Sequence, residues 1–140
     1  MPRTKKEILR HLQSDVYCKI GVSKTHGVGV FAIREIPKGA APLRSLRRHR
    51  EIEFSVKELK KLPKEVKKQV DVFCFVDDGT ALIPDIGLNA FDMAVYLNHS
   101  KTPNLKFKRN GSLEAVKRIR KGEELFIDYD VSFGAVHTFK

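Results

Sequence analysis

Apolar and polar positions alternate over short distances along most of the chain, and only one stretch keeps a helical period for long. Tyr17 to Val22 alternates loosely and predicts a strand, Ser23 to Gly29 is a polar glycine-bearing turn, and Val30-Phe-Ala-Ile33 predicts a short buried strand. Ile36-Pro-Lys-Gly39 reads as a turn and Ala41 to Leu46 as a further candidate strand. Val72 to Val76, Asp78-Gly79 and Ala81 to Ile83 have the form of a hairpin. Leu105 to Lys108, Asn110-Gly111 and Leu113 to Val116 predict a second one, with a two-residue turn. Glu124 to Asp128 is the last strand signal.

Helical signals are fewer. Residues 4–14 predict a short helix carrying Ile8, Leu9 and Leu12, and Leu88 to Leu97 a helical turn or two. Over 55–70, Val56, Leu59, Leu62, Val66 and Val70 recur at steps of three or four. Ser55 and Glu58 make a capping box in front of them, and Pro63 is expected to kink or split the helix. Many short strands, one helical insertion and no strand–helix–strand alternation predict a mostly β fold of small sheets.

Composition narrows the class. At 140 residues, 41% hydrophobic and 31% charged, the chain reads as one folded domain spanning 1–140, with no linker or repeat. No apolar run reaches the ~18 residues of a membrane span, and the charged N-terminus lacks a signal sequence. The expected location is therefore intracellular, cytoplasmic or nuclear. Cys18 and Cys74 are too few and too far apart for a zinc site, and read as buried thiols in strands. No metal is expected. The formal charge is +10, with ten Lys or Arg against four Glu between Arg44 and Lys68. Such a field suits nucleic acid or acidic surfaces, although a solvated basic helix face explains the same pattern.

Three segments carry candidate chemistry. They are His26-Gly-Val-Gly-Val-Phe-Ala32 followed by Arg34-Glu-Ile-Pro-Lys-Gly39, then Tyr96-Leu-Asn-His-Ser-Lys-Thr-Pro-Asn104, then Arg118-Ile-Arg-Lys-Gly-Glu-Glu-Leu-Phe-Ile-Asp-Tyr129. Each alone has an ordinary structural reading as a turn or a strand end. Together, in this order, they resemble the SET domain family of protein lysine methyltransferases, over residues 26–129.

The resemblance implies a fold of several small curved sheets, with a knot-like passage of the C-terminal tail (130–140) under the 98–104 loop. It implies methyl transfer from S-adenosylmethionine to the ε-amine of a lysine in a protein substrate, histone or another basic protein, leaving S-adenosylhomocysteine. Tyr129 matches the catalytic tyrosine. His26, Gly27, Val28, Gly29, Asn98 and His99 match the cofactor site, with Phe133 a candidate cover for the adenine. Gly27 and Gly29 would let the backbone approach the cofactor. Tyr96, Phe73, Phe75 and Ile127 are candidates for the lysine channel, though core packing is the preferred reading for the phenylalanines.

The resemblance has gaps. No cysteine follows Tyr129, so the zinc segment of many histone methyltransferases is missing, and Phe133, His137 or Phe139 would have to close the channel. An alternative from another class is a catalytically silent SET-like module that contacts nucleic acid, nucleoprotein or a protein partner through its basic 44–68 face. A homodimer with a shared groove is a third reading.

Overall fold

The computed structural model describes residues 4–46, 50–90, 92–109 and 111–130. The chain divides into two compact units, residues 1–46 with 93–140 and residues 47–92.

In the first unit, helix α1 (Lys5–Ser14) starts where Thr4 accepts a hydrogen bond from the Glu7 amide. Ile8, Leu9 and Leu12 remain exposed on it. Strands β1 (Cys18–Val22) and β2 (Val28–Ala32) form an antiparallel hairpin in full register from Cys18↔Ala32 to Val22↔Val28. The second unit holds β3 (Glu51–Ser55), helix α2 (Lys64–Phe73), β4 (Phe75–Asp77) and β5 (Thr80–Pro84), its sheet ordered β3-β5-β4. The chain then returns to the first unit. A 3-10 turn (Met93–Tyr96) leads into β6 (Asn98–His99), the hairpin β7 (Leu105–Phe107) and β8 (Leu113–Ala115), and β9 (Glu124–Ile127).

The architecture is mostly β with several small sheets, as the periodicity predicts. The four-stranded sheet is ordered β1-β2-β9-β6, so the last strand is inserted between one of the first and one from the middle of the chain. Val30, Leu125, Ile36, Ile119 and Leu105 are essentially sealed from solvent beneath it. The expected passage of the tail under the 98–104 loop falls on residues 131–140, outside the described residues.

Local chemistry explains where the elements depart from expectation. The Ser55–Glu58 capping box forms: Ser55 N donates to Glu58 Oε1 at 2.9 Å, and Glu58 N donates to Ser55 Oγ at 3.2 Å. It closes only a run of tight i→i−3 turns through Leu62, because Pro63 lacks an amide hydrogen to carry the ladder on. The α-helix begins after Pro63 and takes in Phe73, which the periodicity had placed in a strand. Cys74 caps this helix and lies outside any strand. Ala41 to Leu46 forms no strand; its second residue, Pro42, is buried and cannot donate to a ladder. Asp78 and Gly79 turn the β4–β5 hairpin with φ of 45° and 80°, the left-handed pair of a tight two-residue turn. In the other hairpin a Lys108 N to Ser112 O bond of 2.8 Å closes a three-residue loop, with Gly111 at φ 85°.

Buried Cys18 makes the fold sensitive to alkali. Burial pushes its thiol from 9.0 up to about 12. The native state therefore keeps a proton that the unfolded chain starts to release near pH 9. That stabilisation is present below pH 9 and is lost as pH rises toward 12, by up to about 1.4 kcal/mol per pH unit. The melting temperature of the wild type should fall more steeply than that of Cys18→Ala between pH 9 and 11. Parallel melting curves would refute this.

Candidate active site

β9 organises the site. Its burial alternates, with Leu125 and Ile127 in the core and Glu124 and Phe126 half-buried on the other face. β2 lies antiparallel on one side, pairing Val30↔Leu125 and Phe31↔Glu124. β6 lies parallel on the other, pairing Asn98↔Phe126 and His99↔Ile127. Three segments far apart in sequence are thus set side by side.

Asn98 is only 7% exposed, so its amide must find partners inside the protein. Its Nδ2 donates toward three oxygens: Glu124 Oε2 at 2.8 Å, and the backbone carbonyls of His26 and Val28, each at 3.1 Å. Glu124 also accepts from Ser23 Oγ, at 2.8 Å and 3.0 Å to its two oxygens. Ser23 Oγ in turn accepts from the amides of Thr25 and His26, which folds residues 23–27 into a tight loop. Asn104 secures β9 from a further direction. It is 5% exposed, and its amide donates to Glu124 O at 2.9 Å while its oxygen accepts from Phe126 N at 2.7 Å.

The two glycines of the loop differ. Gly27 has φ 51°, a conformation that favours glycine, and a Cβ there would meet nothing within 4 Å. At Gly29 a Cβ would lie 2.3 Å from Glu124 Oε2 and 3.1 Å from Asn98 Nδ2. Gly27 thus faces open space, whereas the Glu124 carboxylate fills the side-chain volume at Gly29.

Tyr129 stands two residues past β9 and packs against the core. Its hydroxyl donates to the carbonyl oxygen of Leu97, the residue before Asn98. Its amide donates to His99 Nδ1 at 3.0 Å, and the two rings lie 5.2 Å apart at a 50° tilt. A neutral His99 then carries its proton on Nε2. Burial raises the Tyr129 pKa above the ordinary phenol value, so the hydroxyl is protonated at neutral pH. His99, Asp128 and Asp130 each bring one ligating atom within 4.8 Å of the others. The Lys101 ammonium already sits on Asp130 and lies 3.9 Å from Asp128, so the chain meets their charge itself.

The remaining channel candidates are divided between the two units. Tyr96 ends the 3-10 turn and packs half-buried against the core, and Ile127 is buried within it. Phe73 and Phe75 belong to the second unit, on α2 and β4. Phe133, His137 and Phe139 lie outside the described residues.

A family model for the SET domain matches residues 27–130, most of the chain. The chain belongs to the SET domain family. Among solved structures, a humanized mutant of the Chaetomium thermophilum Polycomb Repressive Complex 2 bound to the inhibitor GSK126 is 20% identical with a TM-score of 0.53. The match covers 92% of this chain and 18% of that one, and at such identity the likeness is one of fold. A candidate histone methyltransferase of Plasmodium falciparum is 19% identical with a TM-score of 0.48, covering 81% of this chain and 93% of that one. No match was found among curated proteins.

SET methyltransferases use S-adenosylmethionine, and the donor set of this SET domain fits the amino end of that molecule. Three oxygens converge on the Asn98 amide, and each keeps a further lone pair with which it can accept from an ammonium. Gly27 lies open beside them. Glu124, Ser23, Asn104 and the Leu97 carbonyl are the site groups that motif reading missed. Glu124 had one legible signal, a carboxylate opening an otherwise apolar strand. The backbone carbonyls leave none in a sequence.

Proposed function

We propose that this SET domain transfers a methyl group from S-adenosylmethionine to the ε-amine of a lysine in a protein substrate. The observation that carries this reading is the convergence of the Tyr129 hydroxyl on the Leu97 carbonyl, one residue from the Asn98–His99 pair. Both oxygens carry partial negative charge, and each belongs to a residue within two positions of a strand, Leu97 beside β6 and Tyr129 just past β9. When bound, the cofactor supplies a methyl group made electrophilic by its sulfonium.

Asn98, with the His26 and Val28 carbonyls, would hold the amino-acid end. His99 fixes the backbone of Tyr129, and so the direction of the phenol. A free lysine has a pKa of ~10.4 and reacts only as the neutral amine, so its proton must leave to solvent first. A dry passage and a neighbouring cation both favour that loss. Tyr129 then aligns the amine without titrating, and a strong general base is not needed. Tyr96 is the aromatic wall we assign to the lysine stem.

Charge supports a basic substrate. From Gln69 to Asn98 the sequence holds five aspartates and no Lys, Arg or His, in a chain with 27 Lys and Arg. A second reading, docking on nucleic acid or nucleoprotein, is favoured by Lys57, Lys60, Lys61, Lys64, Lys67 and Lys68, all of them exposed. Under that reading binding should weaken steeply with salt.

Calorimetry with S-adenosylhomocysteine and a labelled-methyl assay on mixed basic proteins test the proposal together. Saturable binding with label entering lysine is the expected result. Binding without transfer would leave the silent module, and absence of binding would end the methyltransferase reading.

A further inference from the structure

We infer that Glu124 is the counter-charge and positioning residue for the amino-acid end of the cofactor, latched in place by Ser23. The inference rests on the reading above and adds a residue to it.

Glu124 is half-buried, and among the described residues its carboxylate is the acidic side chain that meets the Asn98 amide. The other two oxygens there, from His26 and Val28, are neutral backbone carbonyls. Those carbonyls can orient an ammonium, but only Glu124 brings a full negative charge to it. Hydrogen bonds between ionised partners are roughly twice as strong as neutral ones, and stronger still away from bulk water.

The geometry also accounts for Gly29. Any side chain at that position would occupy the space where Glu124 Oε2 sits, so the glycine hosts the carboxylate. A glutamate on a strand would otherwise sweep several rotamers. Here Ser23 Oγ donates to both carboxylate oxygens across 101 residues of sequence, while the Thr25 and His26 amides hold Ser23 in turn. The loop that presents the His26 and Val28 carbonyls is therefore oriented by the same carboxylate that completes their cradle. Loss of Glu124 should disturb recognition at one end of the ligand and leave its nucleoside end alone.

Calorimetry on the full chain separates the ends. The probes are S-adenosylhomocysteine and 5′-methylthioadenosine, which keeps the nucleoside and thioether but lacks the ammonium and carboxylate. Glu124→Gln preserves the shape of the side chain and removes its charge. It should weaken S-adenosylhomocysteine binding about 10- to 100-fold and change methylthioadenosine binding less than about twofold. Ser23→Ala keeps the charge but frees it, and should weaken S-adenosylhomocysteine alone by roughly 3- to 10-fold. Should Glu124→Gln not fold, this second variant decides. Equal losses for both ligands would reduce Glu124 to a structural role and overturn the inference, as would an unchanged affinity for S-adenosylhomocysteine. If the wild type binds neither ligand, the functional reading falls and the inference falls with it. If it binds both and the variants match it, only the role of Glu124 falls.

Discussion

Tyr129→Phe should leave S-adenosylhomocysteine affinity within about threefold of wild type, while methyl transfer falls by roughly 10²- to 10³-fold. The ring stays, so its packing on the core and its tilt against His99 are kept. The amide bond to His99 Nδ1 is a backbone bond and is kept too. What is removed is one oxygen, the group that meets the Leu97 carbonyl. Groups that act only on the reacting atoms lower turnover without loosening the ligand, so kcat should bear the loss. A variant that transfers methyl groups at the wild-type rate would remove Tyr129 from the chemistry. Because burial holds the phenol protonated, wild-type turnover should show no decline from this group until pH exceeds about 10.

Asn104→Ala should produce the largest loss of stability among the site-adjacent residues, roughly 2–4 kcal/mol, or about 10 °C in melting temperature. The side chain is buried and bonds β9 twice, as donor to Glu124 O and acceptor from Phe126 N. Truncation leaves both backbone groups without that partner, and an unmet buried polar group costs more than a hydrogen bond contributes. Asn104→Asp keeps the acceptor for Phe126 N but sets a buried carboxylate oxygen against Glu124 O, so at neutral pH it should cost at least as much as the alanine. Thermal melts followed by circular dichroism check both variants. A shift below about 2 °C for Asn104→Ala would show that β9 is held by its neighbouring strands alone.

The residues that carry the site were legible because turn chemistry and strand ends have local causes. His26 to Gly29, Asn98-His99 and the segment ending at Tyr129 each announced a break in periodicity, and the fold sets all three against β9. Both hairpins were legible for the same reason, since Asp78-Gly79 and Gly111 need left-handed backbone. The failures come from competition between signals. A sound capping box at Ser55 and a regular apolar stripe pointed to one helix over 55–70, and a single missing amide hydrogen at Pro63 outweighed them. Phe73 and Cys74 have strand-like neighbours, yet α2 runs through the first and stops on the second. At Gly29 the glycine shows that space is needed and not what fills it. Only the crossing of β2 and β9 reveals that Glu124 does.

The parallel joint between β6 and β9 has a consequence for the life of the protein. It joins residues nearly thirty positions apart, and the strand on the other flank of β9 comes from close to the start of the chain. Pairings of such long range form late in folding. A nascent polypeptide therefore lacks the candidate site until β9 has emerged from the ribosome. Heat or a protease that pulls that strand away dismantles the hydrogen bonds around Asn98 and the seat of Tyr129 in the same event.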